Sequence, residues 1–292
     1  MRNIFIVALR RSGTTVFWES FRRCSDSTCY DEPFNPRLYS LPRPHHRGTW
    51  NELINKFNLS PRSFKEHFSP IEHNDEFNTE LSVSQSTYLK YLIRGSEPVV
   101  IDFTRCNFRI SALKMIDPDA VLVHLYRCMP GFVSSHIVPS YKSQPKFKLQ
   151  YYKDQLKDHI RKFLFWTSWV CGDSYGYGSV FESDCFRHRA DDLGLILAVE
   201  KAKTAAEKLA LVWRLSYLWV ESRGSQIFGD NFVSVSFEDF VAAPERTIGS
   251  IATKAGIDLD MSALPKISQP NLGRNPAESR WRDLDKLIHQ EQ

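Results

Sequence analysis

The sequence lacks the features that mark several common classes of protein. Its 292 residues contain no unbroken apolar run of about 18 residues, so we predict no membrane span. The net charge is only +4, which does not predict nucleic-acid binding but is compatible with an anionic small ligand. The opening residues, MRNIFIVALRR, lack the long apolar core and the small-residue cleavage site of a signal peptide. We therefore expect a cytoplasmic protein and interpret this run as a strand.

The six cysteines are not arranged as a metal site or as a disulfide framework. Cys24 and Cys29 are close in sequence, but no C-x-x-C spacing occurs anywhere. Because no secretion signal is recognised, we expect reduced thiols and no metal ion.

Short apolar runs alternate with helical patterns along the chain. The runs at 4–9, 99–103, 120–126 and 232–237 are typical of buried parallel strands. Helical patterns occupy 14–23, 109–116 and 204–223, and a further helix begins at Pro244 and ends at Gly256. This alternation predicts one α/β domain over residues 1–292, with a central parallel sheet flanked by helices on both faces and a P-loop-like nucleotide-binding fold.

Two regions do not follow this alternation. Residues 31–50 are rich in proline, and residues 171–188 combine glycine, aromatic and acidic residues without a regular period. Irregular stretches of this length inside a compact domain often carry function. We predict lid or insertion regions near 31–50 and 140–200, with 31–50 and 171–192 forming the walls of an acceptor pocket.

The stretch RRSGTTVFWESF (10–21) follows the first apolar run and predicts a phosphate-binding loop before a helix. Its backbone N–H groups and the positive end of the helix would suit an anion, and Arg11 adds a planar fork of donors. In the Walker A pattern, however, a lysine would stand where Thr14 is and a glycine where Ala8 is. This mismatch disfavours an ATPase or a kinase.

Two further segments have a comparable form. VLVHLYRCMPGFVSSH (121–136) predicts a strand that ends at Arg127, a Pro-Gly turn and a helix that carries Ser135. Arg127 and Ser135 could then face one anion at the carboxyl end of the strand, where open α/β sheets bind ligands. Residues 233–257 predict a strand, an acidic link and a helix.

Taken together, these segments resemble the sulfotransferases that use 3′-phosphoadenosine 5′-phosphosulfate (PAPS). The first motif of that family, K/R-S-G-T-T, is matched by residues 11–15, and its second motif is matched by Arg127 and Ser135. Residues 236–240 with the following Pro-Glu look like its Y-E-D-L…P segment, and VVIDFTRCNFRISALKMIDPDA is similar to the stretch before the second motif in bacterial members. The resemblance covers roughly two thirds of the chain.

The resemblance implies a fold, a donor and a set of contacts. The donor would be PAPS, the product 3′-phosphoadenosine 5′-phosphate (PAP), and no metal would be required, because arginine beside backbone N–H groups can neutralise a single 5′-phosphate. The residues expected to bind the nucleotide are Arg10, Arg11, Ser12, Gly13, Thr14, Thr15, Arg127, Ser135 and Arg274.

The catalytic base stays open at this point. Glu32 follows the first helix, where some relatives carry a catalytic glutamate, and Asp31 could take its place. Other relatives use a histidine, for which the candidates are His45, His46, His124 and His136. Arg11 would stabilise the leaving group.

The acceptor is expected to be a small molecule that presents a hydroxyl or an amine. The acidic and aromatic residues of 171–192 favour a polar or cationic natural product. The alternatives are a kinase-like P-loop phosphotransferase and a catalytically inactive nucleotide-binding protein of the same fold. The sequence does not predict the oligomeric state.

Overall fold

The strands expected from the sequence assemble into one parallel sheet. The computed structural model describes residues 1–40, 52, 61–136, 160, 164, 166, 177–267 and 279–289. In this part of the chain the strands are β1 Ile4–Val7, β2 Thr28–Asp31, β3 Val99–Phe103, β4 Val121–Tyr126 and β5 Phe232–Ser236. Their order across the sheet is β2-β3-β1-β4-β5, and every pairing is parallel. The predicted α/β class is confirmed.

The helices of the described part vary from single turns to one long helix. They are α1 Thr14–Cys24, α2 Pro61–His67, α3 Val83–Leu92, α4 Ile110–Ile116, α5 Met129–Ser135, α6 Gly178–Phe181, α7 Asp184–Asp192, α8 Ile196–Lys201, α9 Ala205–Phe228, α10 Phe237–Ala242, α11 Pro244–Ala255 and α12 Ser279–Ile288. Short 3-10 helices occupy Pro36–Ser40, His73–Asp75, Gly229–Asn231 and Met261–Ala263. Within these described ranges, no helix has both the length and the apolar character needed to cross a membrane.

The core on one face of the sheet follows from the two-residue period of the strands. Ile4, Ile6 and Ala8 on β1 and its end, together with alternate residues of β4, point to the same side. They pack there against aromatic residues of α1 and α10 and against the apolar stripe of α11. β1 is therefore the central strand of a buried sheet, and the loop that follows it is anchored on well-packed residues.

The chain divides into two compact units. The first contains Met1–Cys128 and Ser216–Pro270, and thus the whole sheet; the second contains Met129–Leu215 and Asn271–Gln292. Within the second unit, aromatic residues pack in pairs, such as Phe181 against Phe186 with ring centroids 4.7 Å apart. The prediction of a single domain over 1–292 stays a prediction.

Three local expectations are corrected by the structure. β2 was not predicted, because only four residues form it and they stand between polar residues without an alternating pattern. Part of the region expected to be irregular is helical: α7 begins after Ser183, whose side chain accepts a hydrogen bond from the Phe186 N–H. Pro130 lies in the first turn of α5 rather than in a preceding turn, because proline needs no N–H acceptor there.

Candidate active site

The loop after β1 makes a left-handed turn directly before the N-terminus of α1. Arg11 and Gly13 both have positive φ, 75° and 93°, and α1 begins at Thr14. The Ser12 N–H donates to the Leu9 carbonyl at 3.2 Å, which closes the turn. The first N–H groups of a helix have no acceptor within the helix, so the 11-residue α1 presents donors and the positive end of its dipole toward this loop.

Gly13 is required at its position for two reasons. Its φ lies in the left-handed region, and a Cβ there would overlap the Phe237 ring. Phe237 begins α10 and is 4% exposed. The Arg127 guanidinium carbon lies 5.6 Å from the centroid of the same ring. The Phe237 ring therefore contacts both Gly13, in the loop after β1, and Arg127, which follows β4.

Arg10 lies against a buried carboxylate. Its guanidinium forms an ion pair with Glu76, which also lies 3.3 Å from Nε of Arg105 and 2.9 Å from Nδ1 of His73. Arg10, Arg105 and Glu76 are all buried. Part of the charge of Arg10 is therefore compensated within the protein, whereas Arg11 lies one residue further along, at the turn itself. Their predicted roles as phosphate contacts stay predictions.

Three carboxyl groups meet where β2 and β3 end. Asp31 and Asp102 are partners in the parallel pairing of these strands, and the Glu32 N–H donates to the Asp102 carbonyl at 3.1 Å. Burial raises the pKa of Asp31 to about 7, with a further contribution from the Glu32 and Glu19 carboxylates. Asp31 is therefore partly protonated near neutral pH.

Asp102 is the more extreme member of this group. Its side chain is fully buried, and burial raises its pKa well above the ordinary value, as do the charges of Asp31 and Glu32. The Thr14 hydroxyl and the Arg105 charge act in the opposite direction but do not reverse the shift. Burial thus favours the neutral form of the Asp102 carboxyl beside the first residue of α1.

Glu32 is held in a defined geometry. Its backbone is left-handed, with φ 43°, and its Oε2 accepts from Nδ2 of Asn35 at 2.6 Å and lies 3.3 Å from the Arg105 guanidinium. The side chain retains 19% exposure. A non-glycine residue in this region of φ is strained and persists where its surroundings fix it. Glu32 therefore has the fixed position and partial access that a general base requires.

A narrow crevice opens onto Glu32. It is lined by Glu32, Phe34, Asn35, Asp102, Phe103, Thr104 and Arg105. The crevice is too narrow to hold a water molecule.

The second motif is divided between the two units. Arg127 follows β4 in the first unit, and Ser135 ends α5 in the second. The Ser135 hydroxyl donates to the Phe132 carbonyl at 2.6 Å. A joint role of Arg127 and Ser135 in binding one anion stays a prediction.

The histidine candidates differ in their surroundings. His136 is 8% exposed, and its Nδ1 lies 2.9 Å from the Phe132 carbonyl. His124 lies inside β4; burial lowers its pKa, although its Nδ1 is 2.6 Å from the Glu221 carboxylate, which favours the charged form. His124 is therefore a packed, hydrogen-bonded residue of the sheet. Three further candidates lie outside the described residues: His45, His46 and Arg274. Much of 31–50 and of 140–200 also lies outside them.

The site contains residues that the sequence did not single out. Asp102 is the next-to-last residue of an otherwise apolar strand, and a carboxylate at that place is a signal that could have been used. No sequence pattern marks Arg105 and Glu76 as site residues. Their contact depends on how the loop after β3 folds against residues 73–80. In the described part of the chain, no group of three or more His, Cys, Asp or Glu side chains is placed to hold a metal ion, and the described cysteines are free thiols.

Comparison with known proteins gives matches among solved structures. No family model and no curated protein matches the sequence. Three of the solved structures that the chain resembles are sulfotransferases. The sulfotransferase domain of the Synechococcus PCC 7002 olefin synthase is 15% identical, with a TM-score of 0.48, over 100% of this chain and 90% of that one.

Two further solved structures are of the same kind. The sulfotransferase domain from the curacin biosynthetic pathway is 13% identical, with a TM-score of 0.48, over 100% of this chain and 99% of that one. The sulfotransferase STF1 of Mycobacterium tuberculosis H37Rv is 13% identical, with a TM-score of 0.41, over 99% of this chain and 76% of that one.

Proposed function

We propose that the protein is a sulfotransferase that moves a sulfuryl group from PAPS to a hydroxyl or an amine of a small molecule. The observation that carries the proposal is the loop after β1: an arginine at a left-handed turn, the N-terminus of α1 and no lysine. Such a loop suits one phosphate ester better than a triphosphate with bound Mg²⁺. The motif order along the chain supports the same donor.

In the proposed reaction, the acceptor oxygen or nitrogen attacks the sulfur of PAPS in line with the bond to the 5′-phosphate. The S–O bond to the phosphate breaks, and its electron pair stays on the phosphate oxygen of PAP. Glu32 accepts the proton of the nucleophile, and Arg11 with the N–H groups of the loop stabilises the charge that develops on the leaving oxygen. The products are the sulfated acceptor, PAP and one proton.

A kinase-like phosphotransferase is the second candidate, because Asp102 lies beside Thr14, the residue before Thr15, which aligns with the P-loop Ser or Thr. In P-loop NTPases, an aspartate after a neighbouring strand and the P-loop Ser or Thr hold Mg²⁺ together. Burial raises the pKa of Asp102, so a proton competes with Mg²⁺ for this carboxylate. The missing lysine disfavours this candidate further.

The donor is tested by the thermal stability of the protein with PAP, ATP and AMP, each with and without Mg²⁺. PAP at about 100 times its Kd should add roughly 2.7 kcal/mol to the free energy of unfolding without Mg²⁺, and ATP much less. Equal stabilisation by ATP, or an absolute need for Mg²⁺, would contradict the proposal and favour the phosphotransferase.

The phosphate contacts are tested by Arg11→Ala and Arg127→Ala. Each should weaken PAP binding by on the order of 2–5 kcal/mol, measured by calorimetry. The matched control is Arg246→Ala, which removes an exposed arginine on α11. A control that weakens binding as much would mean that overall charge, rather than these contacts, determines affinity.

The base is tested by Glu32→Gln, which keeps the shape and hydrogen bonds of the side chain. We expect release of PAP from PAPS to slow by about 10²–10⁴-fold, with PAP affinity nearly unchanged. Unchanged turnover would remove Glu32 from the mechanism, and His136→Gln would then be the next variant to measure.

For the acceptor we propose a polar or cationic small molecule. The described part of 171–192 contains exposed carboxylates at Asp191 and Asp192, although Asp192 is 2.8 Å from Arg189 in the same helix. Replacing Asp184, Asp191 and Asp192 by Asn should weaken the apparent affinity for a cationic acceptor at constant PAPS. If the affinity does not change, or if a sulfated glycan is the better acceptor, this part of the proposal is wrong.

A further inference from the structure

Glu76 is a buried carboxylate at the meeting point of several cations. It is 4% exposed and follows the 3-10 helix His73–Asp75. Arg10 forms an ion pair with its Oε1, which also lies 3.3 Å from Nε of Arg105 and 2.9 Å from Nδ1 of His73. Burial alone would raise the pKa of Glu76, but Arg10, His73 and Arg105 together lower it. Glu76 is therefore ionised inside the protein.

The backbone that carries Glu76 is itself fixed. Arg109, which is 1% exposed, donates to the carbonyl oxygen of Asp75 at 2.6 Å, of Glu80 at 2.9 Å and of Arg105 at 3.1 Å. One buried side chain thus joins the 75–80 segment to the loop after β3. This clamp fixes the backbone on either side of Glu76.

The cations around Glu76 belong to different loops at the carboxyl end of the sheet. Arg10 lies in the loop after β1, one residue before Arg11. Arg105 lies after β3, and its guanidinium also reaches Glu32, after β2, at 3.3 Å. Among the described residues, two other than glycine have positive φ, Arg11 and Glu32. Arg11 is next to Arg10 in sequence, and Glu32 is in contact with Arg105. Strained residues of this kind stay in place when surrounding contacts over-determine them.

We propose that Glu76 is a positioning residue, which holds Arg10 so that the phosphate loop keeps its turn and holds Arg105 so that Glu32 faces the acceptor. The catalytic part of this inference rests on the proposed sulfotransferase function. The structural part, that Glu76 fixes the loops after β1 and β2, is independent of that function.

The first test is a double-mutant cycle between Glu76→Gln and Glu32→Gln. The quantity measured for each protein is the rate at which PAP is released from PAPS, with water or a phenol as the acceptor. Glu76→Gln alone should slow release by about 10-fold or more, and by a clearly smaller factor when Glu32 is already Gln, because the contribution through Arg105 and Glu32 is then already lost and only the one through Arg10 remains. Glu72→Gln, an exposed carboxylate on the same segment, is the matched control and should leave release unchanged. Equal slowing in both backgrounds, or none in either, overturns the proposal.

The second test needs no nucleotide. Amide hydrogen exchange in Glu76→Gln should be faster by about 10-fold or more in residues 9–15 and 30–36 and unchanged in α11, since the loops alone lose their support. Faster exchange everywhere, or nowhere, contradicts the positioning role. If Glu76→Gln does not fold, Arg105→Gln takes its place in both tests, with faster exchange expected in 30–36.

The outcomes separate the two proposals. A wild-type protein that neither binds PAP nor releases it refutes the sulfotransferase function, and the exchange experiment then decides the role of Glu76 by itself. Normal PAP chemistry in the wild type, combined with additive effects in the cycle, refutes the role of Glu76 alone.

Discussion

The partly buried Asp31, beside the buried Asp102, should make the protein less stable as the pH rises. Burial and the Glu32 and Glu19 carboxylates raise the pKa of Asp31 from 3.8 to about 7, while Arg22 opposes this rise. Between these two values the folded protein keeps a proton that the unfolded chain has released. Stability therefore falls with rising pH across this window, and the loss is complete above about pH 7.

The size of this loss follows from the difference between the two pKa values. At about 1.4 kcal/mol per pH unit, a rise from 3.8 to about 7 corresponds to on the order of 4 kcal/mol at pH 8. Asp31→Asn has nearly the shape of the protonated aspartate and cannot ionise. The variant should therefore be more stable than the wild type at pH 8, by up to about 4 kcal/mol, and equally stable near pH 4.

Urea unfolding of both proteins at pH 4, 6 and 8 measures this effect directly. Asp26→Asn, which changes an exposed aspartate before β2, is the matched control and should show no such trend. If the stability difference between Asp31→Asn and the wild type were the same at pH 4 and pH 8, burial would not control the proton on Asp31, and the argument that burial favours the neutral form of Asp102 would weaken with it.

Three further changes have defined expected results. Gly13→Ala should abolish PAP binding in calorimetry and lower stability by about 1–3 kcal/mol, because of the positive φ and the overlap with Phe237; normal binding would contradict the geometry of the loop. Glu221→Ala should lower the urea stability by about 1–3 kcal/mol, since the buried His124 loses its partner at 2.6 Å, and no loss would show that this hydrogen bond is not needed. Arg109→Met should cost more than about 3 kcal/mol, because several buried carbonyls lose one donor at once; a loss below about 1 kcal/mol would refute the clamp on residues 75–80.

Much of the sheet was predictable from local sequence. β1, β3, β4 and β5 were expected within two residues of their observed ends, because buried parallel strands read as short apolar runs bounded by turn signals. The start of α1 was also expected, since a glycine turn before an amphipathic stretch is a local signal. β2 escaped prediction, because it is short and its order in the sheet depends on pairing with β3, which is some 70 residues away in sequence.

The sequence by itself determined the turn between β1 and α1, and the tertiary structure decided what surrounds it. Arg11, Gly13 and Thr14 are consecutive or nearly so, and the conformation of such a turn depends on its own residues. The carboxyl group of Asp102, the clamp of Arg109 and the ion pairs of Glu76 join segments that are distant along the chain. Their protonation and their partners depend on burial and on distances between loops, and neither is encoded in local sequence; both appear only when the parallel strands bring their carboxyl ends to one edge of the sheet.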